Sequence, residues 1–107
     1  MDRFYSASAT ITAGAEPTMV HTATANKYTI IFGGSICNKT ENKIAKVTVQ
    51  LGPDMKYILK DTPVVMDSTL MLNKMTLEAG QYLLVSCTNA DVDVVLSYIE
   101  QDILEDE

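Results

Sequence analysis

Apolar residues in this chain recur at every second position, in short runs cut by Gly, Pro, Asn and Asp. Ala7, Ala9 and Ile11 alternate with Ser6, Ser8, Thr10 and Thr12. Ala45, Val47, Val49 and Leu51 alternate with Lys46, Thr48 and Gln50, and Val92, Val94, Leu96 and Tyr98 share one parity near the end. Strand side chains point to opposite faces with period two, so each run reads as a half-buried strand. The one helix candidate, Ile99 to Leu104, is too short and too acidic to stand alone.

The other runs fill in the same pattern. Lys27 to Ile36 is the longest candidate; Tyr28, Ile30, Phe32 and Ile36 are expected on one face, with Gly33-Gly34 marking a bulge or a close backbone approach. Asn38 to Lys43 is polar and turn-rich and is expected to be a hairpin loop. Gly52-Pro-Asp54 is a turn, after which Tyr57 and Leu59 take one face and Lys56, Ile58 and Lys60 the other. Leu70 and Leu72, Met75 to Glu78, Gln81 to Thr88 and Val92 to Ile99 complete the set. About eight short strands at roughly ten-residue spacing predict an all-β antiparallel sandwich, jelly-roll-like. With 107 residues the chain holds one core, expected over residues 1–99, followed by an acidic tail over 100–107.

Charge narrows the partners. Five of the fourteen acids (Glu100, Asp102, Glu105, Asp106 and Glu107) fall in the last eight residues, leaving eight bases against nine acids elsewhere. Such a body lacks the basic stripe that nucleic acid requires. Lys39, Lys43 and Lys46 form the one local basic cluster and fit a solvated turn and strand face. No run approaches a membrane span, and no basic region followed by an apolar run opens the chain, so a soluble product made in a cytosol is expected. Cys37 and Cys87 are expected to be free thiols.

Catalytic constellations fail on inspection. A Ser-His-Asp triad would need His21, the single histidine, with Ser35 or Ser86, and neither serine sits in a nucleophile elbow. Asp91 and Asp93 could ligate Ca²⁺, but the pattern is common in turns, where such side chains bond to backbone. Gly33-Gly34 lacks the Lys and helix of a phosphate loop, and the Asn38-Lys-Thr40 sequon has no secretory context. Glu78-Ala-Gly-Gln81 resembles a loop of cupin jelly rolls, yet cupin metal sites need several His and Glu ligands. No metal or cofactor, and no enzyme activity, is expected.

What remains is surface. Ile31, Ile58, Leu84, Val95 and Ile99 are expected opposite the principal core, as a second layer or as a subunit or partner contact. A charge at Leu84 would then abolish assembly and leave a folded monomer.

The strands Lys27 to Asn38, Val47 to Leu51 and Asp93 to Glu100, the segment Tyr57 to Pro63 and the loop Leu77 to Gln81 carry a resemblance. Over roughly residues 5–100 the chain resembles small structural proteins of tailed bacteriophages, especially those of marine and freshwater hosts. The longer acidic tail and Met66, Met71 and Met75 depart from that pattern and leave the place in the particle open. The resemblance implies a non-enzymatic virion β-sandwich, foremost a capsid decoration or cement protein, otherwise a neck, tail or fibre adaptor. The expected partners are capsid or neck/tail proteins and copies of the chain, as a homotrimer or larger, with no nucleic acid and no membrane. A carbohydrate-binding sandwich is the reading from another class; the absence of Trp and the inward placement expected for the tyrosines weigh against it.

Overall fold

A computed structural model describes residues 4–24, 26–38, 40, 43–66 and 68–102. Nine strands follow in chain order: β1 (Phe4–Ile11), β2 (Thr18–Thr22), β3 (Lys27–Asn38), β4 (Ala45–Gly52), β5 (Lys56–Val64), β6 (Ser68–Leu72), β7 (Met75–Leu77), β8 (Tyr82–Thr88) and β9 (Val92–Asp102). One sheet runs β1-β9-β3-β6, with β7 also on β3, and the other runs β2-β8-β4-β5. Every pairing is antiparallel.

The pairs nest. β4 meets β5, β3 meets β6 and β7, β2 meets β8, and β1 meets β9. The chain is thus one long hairpin rolled up so that its ribbons divide between two sheets, which is the jelly-roll arrangement. β6 and β7 lie along the same edge of β3, opposite residues 34–38 and 29–31. Nine strands therefore fill eight positions, as the turn spacing predicts.

Alternation fixes the core directly in the regular strands. Val47, Val49, Leu83 and Val85 from the second sheet, and Ile11, Val92, Val94 and Leu96 from the first, are fully buried or nearly so. Bulges alter two other strands. In β3 the register with β9 shifts between Ile31 and Gly33, so Phe32 is the extra residue. Thr29 and Ile31 point inward before the bulge, and Gly34, Ile36 and Asn38 after it. Tyr28, Ile30 and Phe32 therefore do not share the face of Ile36, because one inserted residue reverses parity. Gly34 is also a close approach, since a Cβ there would lie 2.7 Å from Leu96 Cδ2 and 3.2 Å from Leu72 Cδ1. In β5 a similar irregularity at Ile58 pairs Leu59 with inward Val49 but Tyr57 with outward Gln50. Tyr57 and Leu59 consequently occupy different faces.

Two boundaries differ from expectation. The segment after β3 crosses from the first sheet to the second, so it is not a hairpin loop. Asn38, fully buried, holds that crossover. Its Nδ2 donates to the carbonyls of Lys43 (3.0 Å) and Val64 (2.9 Å), and its Oδ1 accepts from the N–H (3.0 Å) and hydroxyl of Thr40. At the other end of the chain, β9 continues to Asp102, three residues past the expected boundary, because Lys27, Tyr28 and Thr29 supply strand partners. The rest of the acidic tail, residues 103–107, lies outside the described residues.

Cys37 and Cys87 are free thiols. Cys87 is buried and points inward from β8, its Sγ 3.4 Å from the carbonyl of Ile11, whereas Cys37 lies on the outer side of β3. Facing opposite ways from different sheets, they cannot bridge. Burial pushes the Cys87 thiol up, favouring its neutral form.

Candidate interaction surface

Antiparallel partners share a face, so the register maps the outer surface of the first sheet row by row. One row runs Phe4, Ile99, Ile30, Thr76; the next Ser6, Ser97, Gly33; the next Ser8, Val95, Ser35, Met71; and the last Thr10, Asp93, Cys37, Thr69. Phe4 is 78% exposed, Met71 69% and Val95 44%. Phe32, on the bulge, packs its ring 5.5 Å from that of Phe4. Among the described residues of these strands, Asp93 is the single charge on this face, and its carboxylate accepts from the Thr10 hydroxyl at 2.7 Å. Lys74, in the β6–β7 connection, brings its ammonium to 5.8 Å from the centre of the Phe32 ring.

The outer face of the second sheet is different. Met19, Leu84, Gln50 and Tyr57 form one row across it, Lys46 faces outward from β4, and Lys60 sits 5.1 Å over the Tyr57 ring. A bulge on the edge strand is fixed by the N–H of Asp61 donating to Thr48 Oγ1 at 3.1 Å.

The five expected contact residues therefore do not form one surface. Ile31 is wholly buried in the core, turned inward ahead of the Phe32 bulge. Ile99 does belong to the outer side of the first sheet, but at 6% exposure it is covered, standing in register between Phe4 and Ile30. Val95 is exposed on that same side. Leu84 and Ile58 belong to the second sheet, on the opposite side of the sandwich. Phe4, Phe32 and Met71, which sequence reasoning missed, complete the surface around Val95; the even-numbered parity of β1 was the available signal for Phe4.

The polar residues close the two ends of the sandwich. At one end His21 Nε2 lies 3.0 Å from Thr29 Oγ1, linking the sheets, with its ring 4.2 Å from that of Tyr98. Tyr98 stacks on Tyr5, and Thr24 donates to Glu100 at 3.0 Å. At the other end the N–H of Ala13 donates to Asp91 Oδ1 at 2.8 Å, so this carboxylate serves a backbone partner distant in sequence. Among the described residues the side-chain hydrogen bond of His21 is to a threonine and not a serine, and no group of three potential metal ligands occurs.

Burial holds the His21 imidazole below its ordinary value of about 6.5, against the opposing pull of Glu100. As pH falls through 6.5 the unfolded chain takes up its proton first. Stability thus declines from there and the loss is complete below the folded pKa. Urea unfolding at pH 7.5 and pH 5 is expected to show a larger acid loss for the wild-type chain than for His21→Gln. Equal losses would mean that the ring is as free to ionise folded as unfolded.

No protein-family model matches the chain, and no curated protein matches it.

Proposed function

We propose that the chain is a non-enzymatic virion structural protein of a tailed bacteriophage. It attaches to the capsid lattice as a decoration protein through the outer face of its first sheet. One observation carries the reading: among the described residues, the five strands of this face place one charged side chain on it, Asp93, with Lys74 from the β6–β7 connection beside Phe32, yet the face exposes Phe4, Phe32, Val95 and Met71. In a chain with 21% charged residues that is an uneven distribution. Large apolar side chains exposed on a face with so little charge favour a contact there. The resemblance of the strand and turn motifs to small phage proteins supports the same direction. Many weak copies on one lattice reinforce each other, so a modest face suffices.

The same face would serve a neck or tail position, and copy number separates the two. Peptide mass spectrometry of purified particles of the encoding phage is expected to find the chain in numbers comparable to the major capsid protein. A few copies per particle would move it to the neck or tail, and absence from particles would end the virion reading. Sugar binding has one observation in its favour, the exposed outward ring of Tyr57, contrary to the inward placement expected for it. Lys60 lies over that ring, however, where a sugar would have to stack.

A further inference from the structure

Four strand edges bound the two sheets, and three of them are guarded. β2 is five residues long, follows Pro17 and is bulged between Met19 and His21. β5 carries Lys56, Lys60 and Pro63, breaks register with β4 twice, and holds Asp61 at φ 48°. The far edge of the first sheet is divided into β6 and β7, of five and three residues. Shortness, bulges, Lys and Pro are the devices by which proteins keep sheet edges from pairing with another chain.

β1 has none of them. Phe4–Ile11 pairs with β9 at eight consecutive positions without a bulge, and contains no charge, proline or glycine. Among the described residues no strand lies on its other side. Backbone donors and acceptors on that side are therefore offered along a straight, uncharged ladder.

The geometry points to this edge as a self-association site: β1 pairs antiparallel with β1 of a second copy across a two-fold axis, joining the two first sheets into one. A register centred on Ala7 keeps the faces of the two copies in step. With Ala7 opposite Ala7, Ser6 faces Ser8 and Tyr5 faces Ala9, so inward residues meet inward and outer meet outer. In the same register Phe4 of the second copy stands opposite Thr10. There it reaches the rim of a shallow hollow to which Ser8, Thr10, Asp93 and Val95 contribute. Phe4 is the most exposed of the large apolar side chains described, and the seam sets it beside the outer face of the second copy. A ring of three would need a second, different edge to receive β1, and the other edges are guarded. Pairing through β1 accordingly gives a two-fold dimer.

This inference goes beyond the virion reading and is tested without a capsid. Sedimentation velocity over a concentration series is expected to show a dimer of the wild-type chain. Ser6→Lys/Ser8→Lys sets like charges directly opposite across the seam and is expected to weaken the dimer about tenfold or more. Ser6→Glu/Ser8→Glu is expected to do the same, and an equimolar mixture of the two to restore the dimer. A monomeric or trimeric wild-type chain overturns the proposal, as does a dimer that neither substitution weakens. Should the substituted chains not fold, amide exchange of the wild-type chain decides. Slower exchange along β1 at concentrations that favour the dimer supports the seam, and exchange independent of concentration overturns it.

Discussion

Asn38→Ala is expected to lower the unfolding free energy by roughly 2–4 kcal/mol, the largest loss from any single polar side chain here. Asn38 is wholly buried at the end of β3, between Ser68 of β6 and Val92 of β9. Its amide saturates the carbonyls of Lys43 and Val64, and its oxygen receives two donors from Thr40. Alanine would leave the Val64 carbonyl buried without its amide donor and open a small cavity beside it. It would also untie the crossover that carries the chain from one sheet to the other. For a domain of this size the midpoint of thermal unfolding is expected to fall by on the order of 10–25 °C. Thr40→Ala removes one hydroxyl donor and keeps the backbone N–H, so about 1 kcal/mol or less is expected. Calorimetry on both variants checks the order. An Asn38→Ala chain melting within a few degrees of wild type would show that the crossover is held elsewhere.

Asn38 also shows where sequence reading stops. A polar, turn-rich segment looks the same whether it closes a hairpin or carries the chain between sheets, because the difference is made by strands far away in sequence. The nesting of β1 with β9 and β2 with β8 has no local signature. What is local was legible: the alternation of β1, β4 and β9 identifies Ile11, Val47, Val49, Val92, Val94 and Leu96 as core, and they are. β3 and β5 show the limit of that method. A glycine pair announces the bulge near Gly33, but parity carried through it places Ile31 outside when it is inside. The contact surface suffered from the same limit and from one more. Parity marks Leu84 and Val95 alike as outward, yet cannot tell that they belong to different sheets on opposite sides of the molecule.

That separation yields the second large effect. A carboxylate at Val95 or Met71 is expected to weaken capsid attachment by about two orders of magnitude, because burying an unpaired charge in an apolar contact costs several kcal/mol. In the free chain both positions reach water, so folding is expected to change little. Met71 is the cleaner site, since β9 and β3 separate β6 from the β1 edge. Met71→Asp should therefore leave self-association intact while attachment is lost. Leu84→Asp, on the charged side of the sandwich, is the matched control and is expected to attach within about twofold of wild type.

The decisive measurement is co-sedimentation of the wild-type, Met71→Asp and Leu84→Asp chains with capsids of the encoding phage prepared without this protein. Wild type and Leu84→Asp pelleting with the capsids while Met71→Asp stays in solution is the expected result. Failure of the wild-type chain to pellet would contradict attachment to the capsid. Loss of attachment in Leu84→Asp with none in Met71→Asp would place the contact on the other sheet.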